Sequence, residues 1–63
     1  MRTIDANELV PGDVIIDGGH ARYEVDFVGS VTDSDVRVEV YDRVYSQLEI
    51  LRYLARDLVT VES

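Results

Sequence analysis

The residues that could do chemistry in this 63-residue chain are few. Its only histidine, His20, follows Gly18-Gly19 at a predicted hairpin tip, where Asp17 could lie near it. A single imidazole forms no catalytic dyad without a nucleophile such as a thiol, and a metal site would need further ligands such as carboxylates beside it. The chain has no cysteine, so we interpret the closeness of Asp17 and His20 as chance adjacency rather than a site.

The serines and the acidic clusters match no catalytic motif either. No serine lies in a Gly-x-Ser-x-Gly elbow, and the chain has no glycine-rich phosphate loop. Asp33 and Asp35 suggest calcium, but no glycine or distal glutamate completes an EF-hand pattern. We therefore expect a protein that is not an enzyme and that holds no cofactor and no metal.

The charge balance restricts the class of partner. The net charge is −7, from 13 acidic and six basic residues, and all six basic residues are arginine. Binding to a nucleic-acid backbone needs positive charge to displace counterions, so direct nucleic-acid binding is not expected, nor is binding to anionic membranes. A basic protein surface, or a second copy of the chain, remains as a partner.

The length and hydropathy of the chain predict one small folded domain over residues 1–63. Hydrophobic residues make up 46% of the chain, which is typical of a folding sequence rather than a disordered one. No apolar run approaches a membrane span and no signal peptide opens the chain, so we expect a soluble cytoplasmic protein. The burial available to such a short chain barely offsets its conformational entropy, which favours self-association.

Two turns organise the first half of the chain. Val10-Pro11-Gly12-Asp13 has the type II signature, because proline sets φ near −65° and glycine accepts a positive φ. Asp13 should accept a backbone hydrogen bond there. Gly18-Gly19 between two apolar runs predicts a hairpin.

Alternating apolar and polar residues predict the strands. The clearest is Val36–Tyr41, in which Val36, Val38 and Val40 should face the core. Gly29 should be a bend or bulge, and 32–35 a polar turn. The other predicted segments are a short first strand at 2–5, a loop or single helical turn at 5–9 capped by Asp5, and strands at 13–17, 20–28 and 58–62.

Residues 44–57 fit two structures. As a helix, Ser46 and Glu49 would form a capping box, and Leu48, Leu51 and Leu54 would share one face. As a strand, residues 45–52 would pair back on 36–41, and 53–57 would be a short turn. Periodicity alone favours the helix.

A family resemblance favours the strand. Leu9-Val10-Pro11-Gly12-Asp13-Val14-Ile15 resembles the Gly-Asp turn at the start of many small SH3-like barrels. The ending, residues 53–61, resembles the short helical turn and Val-Thr-Val strand that close small uncharacterised barrels of actinobacteria and their phages. The resemblance implies an all-β antiparallel barrel of about five strands with a helical turn before the last, and a phage-encoded protein is one expectation from it. The alternative is an α+β fold with one helix near 47–57 on a three- or four-stranded sheet.

The same alternation predicts a binding face. If Tyr23, Val25 and Phe27 point inward with the valines of 36–40, the intervening side chains point to solvent on neighbouring strands. We expect this face to bind a basic protein or a second copy. An acidic mimic of DNA that occupies a nucleic-acid-binding protein is the alternative. The predicted face consists of Glu24, Asp26, Arg37, Glu39 and Tyr41.

Overall fold

The computed structural model describes residues 1–19, 21–29 and 34–62. These residues form one six-stranded antiparallel sheet and a single turn of 3₁₀ helix at Ala6–Glu8. The all-β fold class is therefore confirmed. The strands are β1 Arg2–Asp5, β2 Val14–Asp17, β3 Ala21–Gly29, β4 Asp35–Asp42, β5 Gln47–Leu54 and β6 Leu58–Glu62.

The spatial order of the strands is β1-β6-β2-β3-β4-β5. Strands β2 to β5 each pair with the next, and β6 returns to pair with β2 on one side and β1 on the other. No ladder joins the two described edge strands, β1 and β5, so the sheet is not closed. The sequence predicts a barrel of about five strands; the structure has six strands in an open sheet, and the predicted short strand at 2–5 is β1.

Residues 47–54 form a strand, so the α+β alternative is wrong. All eight residues of β5 pair with β4, from Asp35 opposite Leu54 to Asp42 opposite Gln47. A helix here would have left the backbone groups of β4 on that side without partners. Ser46 lies in the β4–β5 turn with φ 54°, and caps no helix.

The position of the helical turn also differs from the prediction. Leu54 to Asp57 form a hydrogen-bonded turn instead of a helical turn before β6, with the Asp57 N–H donating to Leu54 O at 2.9 Å. The only helical turn among the described residues follows β1, where the sequence allows one. Asp5 precedes it but makes no side-chain capping hydrogen bond.

The core lies on the concave face of the sheet. Val36, Val38 and Val40 of β4 are all fully buried there, as the alternation predicts. Burial of each of these side chains stabilises the folded state by about 1.5–3 kcal/mol. The other buried core residues come from β2, β3, β6 and the loops: Ala6, Leu9, Ile15, Val25, Ala55, Val59 and Val61.

A β-bulge at Asp26 reverses the predicted orientation of Phe27. Val25 pairs with Val40, but Phe27 pairs with the next residue, Glu39, so Asp26 is the extra residue on β3. Beyond the bulge the alternation is shifted by one residue: Phe27 is 55% exposed. The prediction that Phe27 faces the core is therefore wrong. The predicted irregularity at Gly29 also lies elsewhere, because Gly29 pairs regularly with Arg37.

The predicted turn at Val10–Asp13 is confirmed. Gly12 has φ +99°, and the Asp13 N–H donates to Val10 O at 3.1 Å. The Asp13 carboxylate accepts from the Val10 N–H at 3.0 Å, as expected. The turn also binds β3, since the Gly12 N–H donates to Val25 O at 2.9 Å and the Val25 N–H donates to Asp13 O at 2.8 Å.

The turn at Leu54–Asp57 repeats this side-chain arrangement. The Leu54 N–H donates to the Asp57 carboxylate at 2.9 Å. Buried Ala55, in this turn, forms backbone hydrogen bonds with two distant segments. Its N–H donates to Ser34 O at 2.8 Å, and its carbonyl accepts from the Asn7 N–H at 3.0 Å. The concave face is thus covered at this end by the turn and the 3₁₀ segment.

Gly12→Ala should destabilise the protein by about 1–3 kcal/mol, because an alanine resists a positive φ. Space is not the cause, since a Cβ at Gly12 meets no atom within 4 Å. Gly19→Ala is the matched control: its surroundings are equally open and its φ is not positive. Urea unfolding of both variants measures the difference, and equal losses of stability would contradict the role given to Gly12.

Candidate interaction surface

The five residues of the predicted binding face lie together on the convex side of β3 and β4. Glu24 is opposite Tyr41, and Arg37 and Glu39 follow along β4. All are exposed except Glu24, which is half-buried. Asp26 reaches the same side through the bulge, where it lines a groove with Glu39. We use the term outer face for the convex side of β3, β4 and β5, including the bulge and Arg43.

Glu24 is occupied by an intramolecular ion pair that the sequence analysis missed. Arg43, in the β4–β5 turn, donates from Nη2 at 2.9 Å and from Nε at 3.0 Å to Glu24 Oε2. Both groups are partly exposed, so the pair contributes at most about 1 kcal/mol to stability. It reduces the negative charge that Glu24 offers to a basic partner.

The outer face carries balanced charge. The described residues of β3, β4 and the β4–β5 hairpin place four arginines on it, Arg22, Arg37, Arg43 and Arg52, and four carboxylates, Glu24, Asp26, Asp35 and Glu39. Arg22 forms an ion pair at 3.4 Å with Glu62 of the neighbouring β6. The net charge of −7 therefore resides on the rest of the chain. The predicted acidic face is thus less acidic than the five residues suggested.

Arg37 and Arg52 are directly opposite each other on β4 and β5. Among the described residues neither guanidinium forms an ion pair. Like charges at directly paired positions destabilise a sheet slightly. Arginines in such a position are well placed to contact an external acceptor.

The outer face also exposes large apolar side chains, most of which the sequence analysis did not assign to it. The bulge turns Phe27 outward. The sequence assigns no face to the residues of β5, because they fit both a strand and a helix. The exposed fractions are Phe27 55%, Tyr41 36%, Leu48 75%, Ile50 50% and Leu54 61%.

Two of these apolar residues, Leu48 and Ile50, line a shallow groove of about 450 Å³ on the outer face. Phe27 lies beside the groove, because Glu39 is opposite Phe27 on one side and Ile50 on the other. Its lining residues come from three strands: Asp26 from the bulge of β3, Glu39 and Val40 from β4, and Leu48, Glu49 and Ile50 from β5. The groove is open to solvent along its length. Such a shape fits side chains of a macromolecular partner better than it encloses a small ligand.

Phe27 is held in place by the absence of a side chain at Gly29. A Cβ at Gly29 would lie 2.9 Å from Phe27 Cε1, so the ring covers the Gly29 backbone. Gly29 is opposite Arg37 on β4, so the Phe27 ring, which covers Gly29, lies beside the position of Arg37. An exposed aromatic ring fixed next to an arginine is a common component of protein interfaces.

A pair of carboxyl groups on the opposite, concave side was not predicted. Asp42 is buried and accepts from the Val44 N–H at 2.8 Å and the Tyr45 N–H at 3.2 Å. Glu49, on β5, lies beside the Asp42 carboxyl, and the interaction between the two groups favours the proton on Glu49, so that it raises the pKa of Glu49 and lowers that of Asp42. The pair closes the β4–β5 hairpin from the inside.

The pKa values of the two carboxyl groups are shifted in opposite directions. The hydrogen bond to Asp42, followed by burial, raises the pKa of Glu49 above its ordinary value of 4.5. Burial alone would raise the pKa of Asp42, but hydrogen bonds from the Tyr45 N–H, from Glu49 and from the Val44 N–H together lower it. Burial and these carboxylates also raise the pKa of the nearby Tyr23 phenol.

This cluster has the chemistry of a turn cap rather than of an active site. The cavity beside it, lined by Tyr23, Asp42 and Tyr45 among others, has a volume of about 130 Å³, well below the 300–1,000 Å³ of typical ligand pockets. Within residues 1–19, 21–29 and 34–62, no group of three histidine or acidic side chains could hold a metal ion.

The remaining candidates from the sequence contribute little. His20, Ser30, Asp33 and Ser63 lie outside the described residues, so the adjacency of Asp17 and His20 and part of the polar turn at 32–35 stay predictions. Gly18 has φ +64°, consistent with the predicted hairpin between β2 and β3.

No helix in the described part of the chain is long and apolar enough to cross a membrane. Comparison with known proteins found no match: no family model, no curated protein and no solved structure. The geometry of the outer face is therefore the basis for assigning a function.

Glu49→Gln should remove a pH-dependent contribution to stability. The folded state binds the Glu49 proton more tightly than the unfolded state, so this contribution is full below pH 4.5 and is lost as the pH rises through the raised folded pKa. Glutamine keeps a donor for Asp42 and does not titrate. The variant should therefore gain stability relative to the native protein between pH 4 and pH 8.

Urea unfolding at both pH values measures this gain. Glu39→Gln, on the exposed outer face, removes the same charge without touching Asp42 and should show a smaller change with pH. An equal change in the two variants would show that net charge, rather than the carboxyl pair, is responsible.

Proposed function

We propose that this protein is a non-enzymatic protein-interaction module that binds through its outer face. One observation carries the proposal: the large apolar side chains of Phe27, Leu48 and Ile50 are exposed on a face whose charges balance. Exposed apolar residues scattered singly are ordinary, but a contiguous group around a groove marks an interaction site.

The composition of the face supports a protein partner. Aromatic residues and arginine are enriched at protein interfaces, and Phe27, Tyr41, Arg37 and Arg52 supply both types here. The exposed side chains stand on paired strands rather than on loops, so little conformational entropy is lost when they are covered.

The SH3-like character of the fold is part of this proposal. The four-strand meander from β2 to β5, with β6 returning to pair with β2, is compatible with the family that the Gly-Asp turn resembles. Folds of this size host many functions, so the resemblance adds to the argument for a small binding domain and does not identify a partner. A phage origin and a cytoplasmic location remain predictions.

The DNA-mimic alternative receives no support from this face. A mimic presents rows of negative charge where DNA has phosphates, whereas here arginines alternate with the carboxylates. Binding by a mimic would also weaken steeply with salt. Binding through the apolar groove would depend much less on salt.

The test compares two triple variants in affinity capture from a lysate of the source cells, with mass spectrometry to identify bound chains. Phe27→Ser, Leu48→Ser and Ile50→Ser together should abolish capture of the partner, because they remove the apolar lining of the groove and the exposed ring beside it. The control carries Val10→Ser, Val44→Ser and Leu58→Ser, three exposed apolar positions outside the groove, and should retain the partner.

Circular dichroism establishes that both variants remain folded. Equal capture by the two variants would overturn the assignment of the face. Failure of the native chain to bind any cellular protein or a second copy of itself would overturn the proposed function.

A further inference from the structure

We infer that a second copy of this chain pairs antiparallel with β5, at the edge of the outer face, and continues the sheet across a two-fold axis. This inference rests on the proposed function and adds the occupant, the strand and the register. Three observations carry it: the character of the β5 edge, the balance of charge beside it and the self-complementarity of its sequence.

The two edges of the sheet differ in how they are protected. Strand β1 has four residues and carries a charge at each end, Arg2 and Asp5. Strand β5 has eight residues, no proline and only two ionisable acidic or basic side chains, Glu49 and Arg52. Alternate residues of an edge strand direct their N–H and C=O groups away from the sheet, and proteins commonly shorten or charge such edges to prevent pairing. The β5 edge is twice as long as the β1 edge and carries its two charges among six uncharged residues.

The charge distribution favours the approach of two copies at this edge. The chain carries a net charge of −7, so most orientations of two copies are repulsive. The outer face beside β5 is balanced, with Arg37 and Arg52 near Glu39 and Asp35. Two copies related by a two-fold axis at β5 would keep their acidic surfaces apart.

Strand geometry limits the possible registers. A two-fold axis perpendicular to the sheet keeps each side chain on the same face of the sheet. Two residues that pair across the interface must therefore both point outward or both point inward. This condition is met only when the axis lies between the two copies of one residue, which then pairs with itself. An axis at Arg52 would place two guanidiniums opposite each other. An axis at Ile50 would place Glu49 opposite Leu51 and leave Leu54 without a partner.

An axis at Leu51 avoids both the pairing of two guanidiniums and the unpaired Leu54. It places Leu48 opposite Leu54 of the second copy, so the two most exposed leucines of β5 cover each other. Ile50 then faces the aliphatic stem of Arg52, whose guanidinium moves toward Glu39 of the other copy. On the inner side, Glu49 faces the hydroxyl-bearing ring of Tyr53. We therefore assign the Leu51-centred register.

Cysteine cross-linking tests the register directly, because the native chain contains no cysteine. Directly opposite residues have Cα atoms about 4.5–5.5 Å apart, within the range that a disulfide spans. Leu48→Cys and Leu54→Cys proteins, mixed and oxidised, should form a cross-linked dimer. Neither protein alone should do so, because the same residue in the two copies would be separated by about 20 Å.

Ile50→Cys distinguishes the competing register, since it cross-links to itself efficiently only if the axis passes through Ile50. Cross-linking of Ile50→Cys alone, or of all three proteins equally, would overturn the assigned register. These substitutions alter exposed outer-face positions, so the fold should be retained.

Analytical ultracentrifugation tests the dimer itself. The native chain should show a mass of twice 7.1 kDa at high concentration, and added salt should preserve or strengthen the dimer, because salt screens the repulsion between acidic copies. Ile50→Lys should weaken association about tenfold or more by placing a lysine opposite Arg52. Leu58→Lys, the same kind of change on β6, is the control and should leave it unchanged.

A native chain that stays monomeric at all concentrations would overturn this inference. It would leave the proposed function standing if the Phe27, Leu48 and Ile50 triple variant still loses a cellular partner. If the triple variant keeps both the cellular partner and the dimer, the inference and the proposed function are both overturned.

Discussion

The hydrogen bonds between the Val10–Asp13 turn and Val25 determine how the sheet is arranged. Both backbone groups of Val25 are bound to the turn, through Gly12 and Asp13. The next residue, Asp26, is the extra residue of the bulge, and from there the alternation of β3 is shifted. One consequence is that Val28 rather than Phe27 packs against the core. The other is that Phe27 joins the outer face, which makes the groove part of an apolar surface.

Much of the fold could be predicted because its signals are local. The proline–glycine turn, the diglycine hairpin and the strict alternation of β4 each depend on a few neighbouring residues. The register shift in β3 could not be predicted, since Tyr23, Val25 and Phe27 alternate perfectly in sequence and the bulge results from pairing with distant strands. The state of 47–54 was ambiguous for the same reason: its helical period is genuine, and the eight pairs with β4 outweigh it.

The candidate surface was predicted in part. The five residues proposed from alternation do share a face, because β4 alternates regularly. Their interpretation as an acidic surface did not anticipate that Arg43 would bind Glu24 or that Arg52 would lie opposite Arg37. Both pairings join residues that are far apart in sequence or lay in the ambiguous segment. The Asp42–Glu49 pair was missed likewise, although Asp42 at a strand end before a turn is a signal that could have found it.

The most direct test of the central claim is hydrogen–deuterium exchange of the β5 backbone amides at low and high protein concentration. If a second copy pairs with this edge, the amides of β5 that point away from β4 should exchange more slowly at high concentration, while those of β1, the other edge, should not change. Exchange at β5 that is independent of concentration would contradict the account, because it would leave the long, apolar edge of the sheet without the partner that its sequence and charge favour.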